Sequence, residues 1–144
     1  MSVRTSARIV HLLFEALNAH DAARAARCIH PSYHGVDATR SVLTMGRENA
    51  LAEIRAGLTA FPDLTFTVEQ CVAEPQNAFV YWSMEATHEA SFLNLPTTHR
   101  SVSVSGTALF TIEDEHIVHA VHLWDLAGLM RTAGLLPGVE TGGA

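Results

Sequence analysis

The chain is predicted to be α+β, with helices laid against a strongly bent antiparallel sheet, and three observations carry that prediction. Apolar residues recur at helical spacing in three stretches before Pro62, and the period then changes to two between Leu64 and Trp124. The turns joining the later apolar runs are short, which suits antiparallel neighbours. With 144 residues, 48 % of them hydrophobic and 17 % charged, the chain has the size and apolar content of one folded domain. That domain is expected over residues 1–137, with a flexible tail at 138–144.

The first helix is expected from Ala7 to Leu17, where Ala7, Val10, Phe14 and Leu17 form a stripe that Ile9 and Leu13 widen, with Ser6 available as its cap. Asn18-Ala19-His20-Asp21 breaks the pattern. Asp21 can cap a second helix, Ala22 to Ile29, which stops before His30-Pro31 because proline pushes the residue preceding it out of helical geometry. An irregular segment with Tyr33, His34 and Gly35 is expected next. A third helix, Arg47 to Phe61, carries Ala50, Leu51, Ile54, Leu58 and Phe61 on one face and ends at Pro62-Asp63.

Alternation then takes over. Leu64, Phe66 and Val68 share one face of a first strand. After the turn Glu74-Pro75-Gln76-Asn77, Val80, Trp82, Met84 and Ala86 share a face of a second. A third strand from Arg100 to Ile112 presents Val102, Val104, Gly106, Ala108 and Phe110, and the acidic turn Glu113-Asp114-Glu115 leads into a fourth, His116 to Trp124. On that strand Val118, Ala120, His122 and Trp124 fall on one face. Asp125 can cap a short closing helix, Leu126 to Ala133, ended by Gly134.

Composition excludes several classes of function. A formal net charge of −6 repels a phosphate backbone or an anionic membrane surface, so neither nucleic acid nor membrane is expected as a partner. The chain contains no lysine, which removes Schiff-base chemistry, pyridoxal phosphate attachment and the lysine of a phosphate-binding loop. Cys28 and Cys71 lack CxxC spacing and are read as reduced, buried residues of a cytoplasmic protein. The run Ile9 to Leu17 includes His11 and Glu15, and is read as neither signal peptide nor membrane span. No glycine-rich nucleotide fingerprint, GxSxG elbow, HExxH pair or calcium loop occurs, so no cofactor is expected.

Nine histidines invite a metal reading, above all His116, His119 and His122. Strand geometry argues against it. His119 points away from the other two, and His116 and His122 stand roughly 20 Å apart at about 3.3 Å per residue, far beyond a shared ion. No metal site is expected.

A bent sheet with helices across its concave face encloses a cavity, and acid–base side chains would supply its chemistry. His122 projects among apolar neighbours, and its imidazole is largely neutral at pH 7, able to accept a proton from a carbon acid. It has two readings, a reactive base or a core histidine bonded to a backbone carbonyl. Asp125 lies where strand hands over to helix and reads as a cap in preference to a catalyst. His88, and His34 beside Tyr33, could orient a ligand oxygen or sit at the surface. Trp82, Met84, Phe92 and Phe110 suit both core and cavity wall.

Several stretches together resemble the SnoaL-like polyketide cyclases: Ile29-His30-Pro31-Ser32-Tyr33, Phe61-Pro62-Asp63-Leu64, Thr87-His88, Leu95-Pro96-Thr97-Thr98-His99-Arg100, and His122-Leu123-Trp124-Asp125-Leu126-Ala127-Gly128-Leu129 with Gly134-Leu135-Leu136-Pro137. The resemblance implies the cone-shaped α+β barrel of the nuclear transport factor 2-like superfamily, with the three N-terminal helices on the concave face. It also implies cofactor-free chemistry. In the family's aromatic cyclases an acidic residue near the end of the last strand removes a substrate proton, and the resulting enolate closes a ring by aldol addition. His122 stands at the position of that acid, and Ala108 at that of a helping histidine on the preceding strand.

The resemblance therefore implies a cyclase-like or isomerase-like enzyme acting on an apolar polyketide or steroid-like carbonyl compound. His122 would be its base, and Tyr33, His34, Trp82, Met84, His88, Phe92, Ala108, Phe110 and Trp124 would line its pocket. A non-catalytic ligand-binding protein and an accessory hydroxylation component are the alternatives. Relatives commonly pair through the outer face of the sheet, where Phe79, Tyr81, Leu109 and Leu123 are expected, so a homodimer is implied.

Overall fold

The computed structural model describes residues 2–137, and the expected tail at 138–144 lies outside them. Along the chain the elements are α1 (Val3–Asn18), α2 (Ala22–Ala26), β1 (Ile29–Asp37), β2 (Val42–Met45), α3 (Arg47–Ala60), β3 (Thr65–Ala73), β4 (Asn77–Thr87), β5 (Ser101–Glu113), β6 (His116–Trp124) and α4 (Leu126–Thr132). The strands form one open, curved six-stranded sheet in the order β2-β1-β6-β5-β4-β3. The architecture is the expected α+β one. The sheet is mixed, however, because β1 runs parallel to β6 while every other pair is antiparallel.

Two strands occupy what the sequence predicts as an irregular segment. Pro31 and Gly35 are poor strand residues, so local propensity points away from β1. The pairing overrides it: the β1–β6 register shifts between Ile29 and His34, around Pro31, before settling into His34 opposite His119 and Asp37 opposite His122. The expected second helix ends at Ala26, since Ile29 is already the first residue of β1.

Capping explains the helix starts. Ser2, not Ser6, caps α1, its hydroxyl accepting from the Thr5 amide at 3.1 Å. Ser6 is fully buried and donates to the Pro75 carbonyl at 2.7 Å, tying α1 to the turn between β3 and β4. Asp21 and Asp125 cap α2 and α4 as expected, accepting from the amides of Arg24 and Gly128. Helices α1 and α3 lie against the sheet, with α2 packed between them.

Strict alternation in β5 buries Val102, Val104, Ala108, Phe110 and Ile112. On β3 a bulge between Val68 and Gln70 flips the phase, so Phe66, Val68, Cys71 and Ala73 all pack inward while Val72 points out. A similar slip between β5 and β6 makes Ile117, not Val118, the buried residue at the start of β6. Each fully buried aliphatic side chain contributes about 1.5–3 kcal/mol.

The outer face carries an apolar row crossing every strand, in which Leu43, Val36, Val121, Leu109, Phe79 and Val72 are successive cross-strand neighbours. Tyr81 and Leu123 flank it, each opposite Thr107. Phe79, Tyr81, Leu109 and Leu123 are all large and exposed. No helix among the described residues is long and apolar enough to cross a membrane.

Candidate active site

The concave face of the sheet, α1, α3 and the loop between β4 and β5 enclose a cavity of about 460 Å³, within the range that takes a small organic ligand. Its apolar wall includes Leu13 and Leu17 of α1, Ile54 and Leu58 of α3, Phe66 and Phe110 of the sheet, and Phe92 of the loop. The polar groups reaching it include Tyr33, Arg40, Glu53 and His122.

His122 stands near the end of β6, directly opposite Ala108 on β5 and Asp37 on β1. Ala108 is small and buried, leaving the imidazole room, and the Phe110 and His122 rings meet in a T-shaped arrangement at 5.9 Å between centroids. Burial pushes the His122 pKa below 6.5, and the carboxylates of Asp37 and Glu53 oppose that shift without reversing it. The imidazole is therefore neutral at pH 7, and no hydrogen bond to the protein holds its ring nitrogens among the described residues.

Behind it lies a charge network that sequence reading does not find. Asp37 accepts from the Trp124 indole nitrogen at 2.9 Å, the Arg40 Nε at 2.7 Å and the Arg40 amide at 3.2 Å. Burial alone would raise the Asp37 pKa, but the indole and guanidinium outweigh it and hold the carboxyl below 3.8. Asp37 is thus a fixed negative charge beside His122. Thr44 Oγ1 likewise donates to Glu53 Oε1 at 2.6 Å, orienting a second carboxylate at the cavity. Asp37 and Arg40 stand three apart in the sequence, but only the parallel pairing of β1 with β6 places Asp37 beside the histidine.

Of the residues expected to line the pocket, Tyr33, Phe92, Phe110 and His122 are on the cavity wall, and six are not. Since β1 is a strand, Tyr33 and His34 face opposite ways. His34 is exposed on the outside, its ring 4.3 Å from that of His119. Trp82 and Trp124 flank Gly106 from the two neighbouring strands, and a Cβ on Gly106 would come within 2.6 Å of Trp82 and 2.7 Å of Trp124. The Trp82 indole therefore covers Gly106 beside the cavity, while the Trp124 indole reaches toward β1 and orients Asp37. Met84 belongs to the second core cluster with Phe61, Val102 and Leu129. His88 is buried against Phe61, with Nδ1 3.1 Å from Thr98 Oγ1 and Nε2 without a partner among the described residues. Ala108 is covered by its neighbours.

The three strand histidines that invited a metal reading are dispersed. His116 packs beside His30 at the start of β6, His119 is on the outer face, and His122 is at the cavity. Among the described residues no group of three or more histidine, cysteine or acidic side chains could hold a metal ion. Cys28 and Cys71 are both free.

The model of a family described as SnoaL-like polyketide cyclase matches residues 7–133. Among solved structures, AclR from Streptomyces galilaeus, a proposed hydroxylase, superposes with a TM-score of 0.85 at 21 % identity, covering 96 % of this chain and 91 % of its own. TsrD from Streptomyces laurentii gives 0.84 at 25 % identity, with 94 % and 99 % covered. IdmH from Streptomyces antibioticus, a proposed polyketide cyclase, gives 0.78 at 20 % identity, with 90 % and 98 % covered. No curated protein sequence matches the chain significantly.

Proposed function

As the chain belongs to the family of SnoaL-like polyketide cyclases, we propose that it forms an enolate from an apolar, polyketide or steroid-like carbonyl compound, with His122 as general base. The substrate's acidic C–H bond breaks, its proton passes to the neutral imidazole, and its electron pair forms the enolate double bond while the carbonyl oxygen takes the charge. In a cyclisation the enolate carbon then attacks an aldehyde carbon in the same molecule, and the imidazolium returns its proton to the new alkoxide. In an isomerisation the proton returns to another carbon.

The observation that carries this reading is a neutral, unbonded imidazole on the wall of an apolar cavity, with the fixed carboxylate of Asp37 beside it. That carboxylate favours the imidazolium formed during reaction. The test is solvent deuterium exchange into the acidic C–H of a panel of β-keto esters and aromatic polyketide analogues across pH 5 to 8. A base of this kind typically contributes about 10²- to 10⁴-fold, and His122→Ala should lower exchange by that factor. Full exchange by the variant would refute the assignment.

Ala108 supports a second reading, because the position opposite His122 offers no partner imidazole. On that reading the cavity binds an apolar small molecule without turning it over, or serves an accessory role in hydroxylation, and His122→Ala changes affinity with no turnover to lose. Two further expectations accompany the proposal. The exposed apolar row on the outer sheet face supports a homodimer. The free cysteines support a reducing, cytoplasmic setting, and residues 1–137 are read as one domain.

A further inference from the structure

Tyr33 is on the cavity wall with His122, and the reaction above gives it no task. Its ring lies along β1 over the next inward residue, Gly35, where a Cβ would overlap the phenol oxygen and stand 2.8 Å from Cζ. Gly35 pairs with Ala120, and the inward residue after Gly35 is Asp37, the cross-strand partner of His122. The side chain of residue 33 is therefore aimed up the strand toward the level of the base. Only glycine at 35 leaves space for that path.

Tyr33 as a residue is 7 % exposed, and no hydrogen bond to the protein engages its hydroxyl among the described residues. The phenol oxygen is not sealed inside the protein, and the cavity that Tyr33 lines is where its O–H can meet a ligand. Burial, with the negative charge of Glu53 adding to it, pushes the Tyr33 pKa up to about 12. The group thus keeps its proton and acts as a donor. An enolate forming in a cavity that Glu53 also lines, with Asp37 behind His122, needs such a donor, and Tyr33 offers an O–H on the same wall as His122.

We propose that Tyr33 is the oxyanion donor of this site, its O–H bonding to the substrate carbonyl and more strongly to the enolate oxygen formed when His122 takes the proton. The inference rests on the enolate reading above and adds the group that meets the developing charge. The phenol transfers no proton, so the electron and proton balance is unchanged. Gly35 is the positioning residue that lets the ring lie where it does.

The test has two arms, both on the full chain. In the exchange assay Tyr33→Phe should lower the rate by about 10²- to 10³-fold, as loss of one oxyanion donor does, with KM little changed and the His122 acid limb in place. Gly35→Ala should lower it through displacement of the ring, and Tyr33→Phe carries the test alone if that variant does not fold. In the second arm β-naphthol serves as probe, because its anion mimics an enolate. Wild type should hold the naphtholate in preference to the neutral phenol, seen by fluorescence, and Tyr33→Phe should lose that preference. Wild type without the preference, or Tyr33→Phe retaining it, overturns the proposal. An exchange rate lost in His122→Ala but kept in Tyr33→Phe overturns the donor and spares the base. The reverse pattern overturns the base and spares the donor.

Discussion

Replacing Leu109 and Leu123 together with serine should weaken self-association of the chain by roughly 10²- to 10⁴-fold. The two side chains are 45 % and 58 % exposed, so together they leave close to one whole leucine in water on the outer sheet face. Covering a leucine completely contributes about 1.5–3 kcal/mol. In the proposed homodimer a twofold axis would repeat the contact, which brings the loss to about 3–6 kcal/mol per dimer, and each 1.4 kcal/mol is tenfold in Kd. Sedimentation velocity over a concentration series reads the effect directly. Because the cavity lies on the opposite face, deuterium exchange per protomer should survive in the variant, separating lost association from lost folding. A wild type that stays monomeric at micromolar concentration, or a double variant that associates as tightly as wild type, would refute the reasoning.

Three further predictions concern the site and the sheet. The rate that depends on His122 needs the neutral imidazole, so it should fall as pH drops through a pKa that burial places below 6.5. Asp37→Asn removes a charge that raises this pKa and should move the acid limb of the pH–rate profile further down, with destabilisation of about 1.5–3 kcal/mol from weakened charge-assisted bonds; an unmoved limb would count against the coupling. Gly106→Ala forces a Cβ against Trp82 and Trp124 and should cost about 1–3 kcal/mol, measurable as a lower denaturant midpoint.

Elements with strong periodicity were legible. The stripes of α1 and α3 and the alternation of β4 to β6 announce themselves, and the caps Asp21 and Asp125 mark their helices. β1 and β2 were not, because Pro31 and Gly35 mask a strand whose partner, β6, lies some eighty residues on. The site depends on this strand. Without β1 as a strand there is no parity to separate Tyr33, which faces in, from His34, which faces out, and no pairing to bring Asp37 beside His122. Alternation placed Trp82, Met84 and Trp124 correctly on the inward face. It says nothing about which part of that face stays open, and Gly106 and the second core cluster close theirs.

The last strand of the sheet is inserted in its middle, between β1 and β5. During synthesis the chain therefore holds two unfinished sheet edges until residue 124 has emerged, one on the β2–β1 hairpin and one on the β3–β4–β5 meander. Such edges are templates for mispairing with other chains. On the β5 side a local hairpin closes this gap, but the parallel pairing of β6 with β1 joins residues more than eighty positions apart, which makes that step slow by topology. The same event that seals the sheet delivers His122 to Asp37, so a half-made chain has neither a finished sheet nor a completed cavity wall.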